Sequence, residues 1–485
     1  MPNHINFNFD NTYTLLPQQL FTPALPSTVP NPTAVLVNNV LAKQLGLNLT
    51  QTNISTIANI LSGNTINAGA MPIAQAYAGH QFGYFNTLGD GRAILLGEHI
   101  TPNLQRFDVQ LKGSGQTTYS RRGDGKATYY SMLREYLISE AMHHLGIPTS
   151  RSLAVVTTSQ KVNRETEHDG AILTRIAASH IRVGTFEYVG RFYPAHLKTF
   201  TNYVIQRHYP AAATATNPAL ALLDAVMNKQ IELIVHWMRV GFIHGVMNTD
   251  NMLISGETLD YGPCAFMNSY SPSTTFSAID QQGRYAYGNQ PAIAQWNIAM
   301  LATALLPLIH DDNAKAIDIA QQKINEFTDR YKQQWLQMMC NKLGILQAQA
   351  TDEILINELL QWMQANHADY TNTFLILQQA VPPTDAIYST QNFIQWQAAW
   401  KQRLQKNNQL FTESIALMQQ TNPACIARNY LVEEALLNVT QHHNFDAFNA
   451  LLQVLATPYQ HNNKPPYFQA VPTNIDEGYS TFCGT

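Results

Sequence analysis

Charge is scarce in this chain of 485 residues: Asp, Glu, Lys and Arg together make up 13%, about half the share usual in a globular protein. Lys and Arg sum to 29 and Asp and Glu to 33, a formal net charge of −4. A near-neutral chain exerts no general pull on nucleic acid or an anionic membrane, so neither is an expected partner. Any phosphate it binds must be held by a few local cations and backbone N–H groups. Cysteine is rarer still. Cys264, Cys340, Cys425 and Cys483 are too few and too scattered for a disulfide scaffold or a zinc cluster. The opening MPNHINFNFDNTYTLLPQQL shows neither a basic-then-apolar leader nor an Arg-rich amphipathic pattern, so no secretory or mitochondrial address is visible. Tyr285 to Ile309 carries no Asp, Glu, Lys or Arg, but Asn, Gln, Thr and Pro interrupt it. That composition fits a buried helix of a large soluble core better than a bilayer span. A cytoplasmic monomer is the expectation. Fixed-period repeats and low-complexity tracts are also absent, and 45% hydrophobic content excludes a disordered chain.

What is present falls into blocks. At roughly 150 residues per domain the length allows about three units, or one large core with additions. Residues 1–70 mix Pro, Asn and Thr with short apolar runs and read as an N-terminal extension. The block 71–310 holds nearly all the dense Gly, Arg and Asp clusters. Residues 311–460 turn to long helical patterns, as in AKAIDIAQQKINEFTDRYKQQWLQMM, with apolar residues at three- and four-residue steps. A tail over 461–485, rich in Pro, Asn and Tyr, reads as an extended surface segment.

The central block has a directional order. A glycine turn at Gly89–Asp90–Gly91 leads into a short strand, Arg92 to Leu96. Phe107 to Gly113 alternates, with Phe107, Val109 and Leu111 on one face and Asp108, Gln110 and Lys112 on the other. Tyr129 to Leu145 reads as a helix carrying Glu135, with Gly146 beyond its end and His143 and His144 complementing its dipole. Ala171 to Ile176 is a further strand, and 220–240 an apolar helix that runs into Gly241 and His244. Strand, glycine turn, Lys-bearing strand, then a Glu-bearing helix is the order of a protein-kinase N-terminal lobe. The fold class expected is therefore α+β, two-lobed and kinase-like, with the N-lobe over 71–185 and the C-lobe core over 186–310.

Each motif has a chemical reason. Gly89 and Gly91 let backbone N–H groups approach a polyanion, although a plain hairpin turn would use the same residues. Lys112 suits a triphosphate if a carboxylate steadies its ammonium; Glu135 is the candidate, Glu140 the competitor. In HGVMNTDNMLISGETLDYG, His244 opens a kinase-like catalytic loop and Asp260–Tyr261–Gly262 stands for Asp-Phe-Gly. Asn251 lies five residues after Val246, the spacing of a metal-binding Asn after the catalytic Asp. Valine accepts no proton, so ordinary kinase chemistry should fail, and Asp250 is the nearest carboxylate that could replace it. Arg175 and Arg182, seven apart, suit either bidentate phosphate binding or salt bridges. The basic turn from Ser120 to Lys126 could close over a nucleotide or stay exposed.

These strings together resemble the selenoprotein O family of pseudokinase-like proteins. The match rests on YAGHQFG (77–83), LGDGRAILLGE (88–98), QLKGSGQTTYSRRGDGKA (110–127), LREYLISEAMHHLGIPTSR (133–151), LTRIAASHIRVGTFE (173–187), GFIHGVMNTDNMLISGETLDYGP (241–263) and GRYAYGNQP (283–291). The resemblance implies a kinase fold that binds ATP back to front and transfers AMP to hydroxyls of client proteins, releasing pyrophosphate. It implies nucleotide contacts at Gly89, Gly91, Arg92, Lys112, Asp124, Gly125, Arg175, Arg182 and Asp260. It makes Asp250 the proton acceptor, Asn251 and Asp260 the ligands of Mg²⁺ or Mn²⁺, and Glu135 the ion-pair partner of Lys112. Cys483 stands near the place of the family's terminal selenocysteine or cysteine. The segment Ser273 to Asp280 supplies no partner cysteine, and Cys264 is the nearest candidate. Competing readings are a non-catalytic ATP-binding scaffold, which the missing base at Val246 would favour, transfer from UTP, and phosphoryl transfer to a small molecule.

Overall fold

The computed structural model describes residues 4–379, 386–406, 410–462, 464–472, 475–476 and 478–482. Its strands are β1 (Phe21–Pro23), β2 (Thr33–Val37), β3 (Ile73–Gln75), β4 (Ala78–Gln81), β5 (Tyr84–Thr87), β6 (Ala93–Ile100), β7 (Arg106–Lys112), β8 (Ala127–Thr128), β9 (Arg151–Asn163), β10 (Glu167–Ala177), β11 (Phe242–Ile243) and β12 (Ala265–Phe266). The main sheet is antiparallel in the order β1-β3-β6-β7-β10-β9-β2, with β8 paired to β10. β4 and β5 form a separate two-stranded hairpin. The alternation expected along β7 holds. Phe107, Val109 and Leu111 face a small apolar core shared with Ile57, Ile60 and Leu61, while Lys112 and Gln110 point to the opposite face. Residues 1–70, expected as an extension, supply both edge strands of this sheet and part of that core.

The helices are α1 (Asn39–Gln44), α2 (Ile54–Leu61), α3 (Tyr129–His144), α4 (Val183–Phe192), α5 (Pro194–His208), α6 (Pro218–Val240), α7 (Gln290–Ile309), α8 (Asn313–Lys342), α9 (Asp352–Ala365), α10 (Tyr370–Ile376), α11 (Gln391–Gln405), α12 (Phe411–Thr421), α13 (Asn429–His442) and α14 (Asp446–Leu455). α3 starts where the Thr128 side chain accepts from the Ser131 N–H, and Gly146, at φ 72°, turns the chain away after it. It packs on β9 and β10, burying Leu133, Leu137 and Ala141. The C-terminal helices brace it from behind: Glu433 on α13 accepts from Arg134 Nη1 at 3.0 Å and from the Tyr130 hydroxyl. α6 is capped by Asn217 and ends on Gly241 at φ 72°, which delivers β11 and the loop beginning at His244.

Among the described residues one helix, Tyr287–Ile309, is long and apolar enough to cross a membrane. In the fold α7 packs against α4, α6 and α8. It carries polar anchors inward: Gln290 donates to the Phe242 carbonyl at 2.9 Å, and Asn297 to the Met247 carbonyl at 3.0 Å. The described part of the tail carries short turns, among them Pro466–Phe468, and the Thr481 hydroxyl donates to the Pro263 carbonyl at 2.7 Å.

Candidate active site

A cavity of about 740 Å³ opens between one end of the main sheet and the loops that follow α6. Gly89, Gly91, Arg92, Lys112, Asp124, Gly125, Arg175, Arg182, Asp250, Asn251 and Asp260 all line it. The turn before β6, the last residue of β7, the loop 119–126, the end of β10 and the start of α4 each bring one or two of these side chains. The glycines of the first turn serve close packing. A Cβ on Gly89, at φ 142°, would lie 2.3 Å from the Tyr119 ring, and one on Gly91 would lie 2.8 Å from the Tyr119 carbonyl. Gly125, at φ 67°, lies against the Gly115 carbonyl, where a Cβ would come to 2.1 Å.

Lys112 donates to Glu135 Oε2 at 2.6 Å and to Asp260 Oδ1 at 3.2 Å. Glu135 wins over Glu140 because Glu140 is taken by Arg151 at 2.6 and 2.7 Å and by Asn38 at 2.8 Å. The second oxygen of Glu135 accepts from Arg175 Nε. Burial alone would push Glu135 up, but the Arg175 and Lys112 cations outweigh it and hold the carboxyl below its usual range. Asp260 is held far lower still: burial opposes ionisation, and Lys112, Arg92 and Arg175 overcome it. Asp260 also sits at φ 67°, a left-handed conformation uncommon for a non-glycine residue.

Arg182 does not reach into open space. It donates to the Asp250 carbonyl at 2.8 Å and to Asp90 Oδ1 at 3.3 Å, and its guanidinium stacks 4.1 Å from the centre of the Tyr77 ring. The Asp250 side chain faces the cavity while only 7% exposed. Its Oδ1 has no hydrogen-bond partner. Burial pushes its carboxyl up to about 6, against the opposing pull of Arg182 and the Gln81 side chain. Asn251 engages its amide nitrogen with the Val246 carbonyl at 3.0 Å, which leaves the amide oxygen for a cation. Among the described residues no group of three or more His, Cys, Asp or Glu forms a metal cage. The oxygen of Asn251 and the ionised Asp260 still fit a hard divalent cation that takes its remaining ligands from phosphate and water.

Other sequence-level readings fare differently. Asp124 is clasped by Arg164 at 3.0 and 3.1 Å and accepts from the Lys126 N–H at 3.0 Å, so it shapes the basic loop. His143 does not complement the helix dipole as a cation, because burial and the neighbouring Arg151 push it down to about 4. Cys264 is buried, and burial pushes its thiol up to about 12; Cys483 lies outside the described residues.

Comparison with known proteins decides the family. Residues 3–456 match the model described as protein adenylyltransferase SelO. The chain belongs to this family. Among its relatives are the protein nucleotidyltransferase YdiU of Nitrosococcus oceani, 53% identical over 99% of this chain and 98% of the relative, and that of Anoxybacillus flavithermus, 53% identical over 99% of both. The YdiU protein of Alkaliphilus metalliredigens is 52% identical over 99% of this chain and 98% of its own. Membership makes the chain an enzyme of the nucleotidyltransferase class.

Several residues of the cavity escaped the sequence reading. Asp90, 1% exposed, looked like a turn residue between two glycines. It accepts from the Gln75 N–H at 3.1 Å and from Arg182, tying the turn to the start of α4. Arg164, on the β9–β10 connection, had no motif around it. Arg164 lies among Lys161, Glu165, Glu167 and Asp169, and Asp90 lies two residues from Arg92, so no local signal in the sequence singles out either one.

Proposed function

We propose that the chain is a protein adenylyltransferase that moves AMP from ATP to Ser, Thr or Tyr hydroxyls of client proteins. The observation that carries this reading is the pairing of Val246 with Asp250. The position that should hold a kinase base is apolar, and a buried carboxylate with an unpartnered oxygen lines the same cavity as Asn251 and Asp260. A triphosphate bound back to front in a two-lobed, kinase-like cleft would bring its α-phosphate to that carboxylate. On this reading 71–185 is the N-lobe and 186–310 the C-lobe core, with 1–70, 311–460 and 461–485 as additions around a cytoplasmic monomer.

In the reaction the acceptor oxygen forms a bond to Pα, the bond from Pα to the bridging oxygen breaks, and pyrophosphate leaves with those electrons. Asp250 takes the hydroxyl proton, a contribution of about 10²- to 10⁴-fold in rate. Lys112, steadied by Glu135, and Arg175 offset phosphate charge, and both are buried, where such charges act more strongly than in water. Arg182 holds the Asp250 backbone in place. Asn251 and Asp260 would hold Mg²⁺ or Mn²⁺, which supplies charge neutralisation at the phosphate oxygens. Asp260 is suited to this because its neighbours keep it ionised.

The test is incubation of the full chain with Mg²⁺ and ATP labelled at either the α- or the γ-phosphate. Label reaching protein from the α-position alone, with an adenylyl adduct by intact mass, is the expected result. Label from the γ-position would mean phosphoryl transfer, and thermal stabilisation by ATP without any adduct would mean a binding scaffold. Running UTP with Mn²⁺ beside ATP reads nucleotide preference.

A further inference from the structure

The string YAGHQFG has entered so far only through Tyr77, stacked on Arg182, and Gln81, beside Asp250. It folds as β4 and the tip of the β4–β5 hairpin, and β4 lies on α4 and on the turn Thr249–Asn251. Three consecutive residues of the catalytic loop meet it in order. The Asn248 Oδ1 accepts from the Phe82 N–H at 3.0 Å and from the Tyr285 hydroxyl at 2.6 Å. The Thr249 hydroxyl accepts from the His80 N–H at 2.7 Å and donates to Glu187 of α4, whose carboxylate also meets the His80 ring. Asp250 lies against Gly79: a Cβ there would sit 2.2 Å from Oδ1 and 2.7 Å from Cγ.

We propose that this hairpin is the device that sets the Asp250 carboxylate, with Gly79 and Thr249 as positioning residues. The inference rests on the reading of Asp250 as the proton acceptor. Gly79 has no left-handed backbone that would call for glycine; what calls for it is the space that Asp250 fills. Gly184 on α4 is notched in the same way, since a Cβ there would come within 1.9 Å of the Ala78 carbonyl and 3.4 Å of Asp250 Cα. The two glycines let strand, helix and loop close on one carboxylate. Oδ1 is thus fixed by packing and not by a hydrogen bond. Seating Oδ1 against the strand fixes which way the carboxylate turns, and so how the rest of the group meets the cavity.

The experiment compares Gly79→Ala, Thr249→Val and Thr249→Ser in the full chain. It reads the self-transfer rate from α-labelled ATP at saturation, the Kd of a non-hydrolysable ATP analogue, and the unfolding temperature. A base misplaced by about 1 Å should slow transfer about 10- to 100-fold while nucleotide affinity stays within about twofold. Gly79→Ala and Thr249→Val should both show that split, and Thr249→Ser, which keeps the hydroxyl, should restore most of the rate. A wild-type rate in Gly79→Ala and Thr249→Val, or a loss of affinity that matches the loss of rate, would overturn the proposal. If the wild-type chain binds the analogue but transfers nothing, it is the functional reading that fails. A crystal structure of Gly79→Ala then tests the positioning alone: it should show the Asp250 carboxylate displaced, and an unmoved carboxylate under a lifted hairpin would refute it.

Discussion

Replacing Glu135 by Gln removes one negative charge from a place where two cations converge. Lys112 is 5% exposed and Arg175 4%, so neither can turn to water when its carboxylate is lost. Breaking a buried ion pair from one side costs about 3–5 kcal/mol. Lys112 keeps Asp260 at 3.2 Å and Arg175 keeps the Gln110 oxygen at 3.4 Å, which points to the lower end of that range. About 3 kcal/mol is a factor of roughly 150 in the folding equilibrium. Urea unfolding of parent and Glu135→Gln at pH 7.5, followed by tryptophan fluorescence, should show a loss of that size. Adding Lys112→Met to the variant takes away one of the stranded charges and should recover part of the stability. The reasoning is refuted if Glu135→Gln unfolds within about 0.5 kcal/mol of the parent, or if the double variant is no more stable than the single one.

Asp250→Asn should keep nucleotide affinity while transfer of α-label falls at least about 100-fold, whereas Asp260→Asn should lose transfer together with the response of nucleotide binding to added Mg²⁺, both read by isothermal titration. His208 is pushed down to about 3 by burial and then by Arg207. Its folded value lies below the unfolded one, so it costs nothing above pH 6.5, and stability is lost as the pH falls from there toward 3. About 2 kcal/mol should go between pH 6.5 and 5, and urea midpoints of His208→Gln should be flatter over that interval. Gly125→Ala forces a Cβ onto the Gly115 carbonyl and a left-handed backbone onto alanine. A stability loss above about 1 kcal/mol is expected from the backbone alone, with weakened binding of an ATP analogue as the loop 119–126 shifts.

Local patterns exposed much of this architecture. The alternation along β7 was readable because its two faces differ in polarity, and α3 because a terminal glycine closes a four-residue apolar period. Both ends of the Lys112–Glu135 pair lie on such elements, so their meeting followed from element order. The partners of Arg175, Arg182 and Asp124 were not readable. Arg175 binds the carboxylate that steadies Lys112, and Arg182 binds a backbone carbonyl 68 residues away. Those choices are set by which charges burial brings together, and spacing along the chain carries no record of them. The contribution of residues 1–70 was hidden for a related reason: β1 and β2 are only 3 and 5 residues long, too short to display a period.

Those two short strands close opposite edges of the main sheet, and among the described residues β2 is paired only with β9. Between Val37 and Asn163, the ends of those two strands, the ribosome must add most of the N-terminal half of the cleft. At about 5–20 residues per second that takes on the order of 6–25 s. During that interval β2 has nothing to zip against. The nascent chain therefore waits with an unmatched ribbon near its start, an opening for chaperones that shield extended apolar segments.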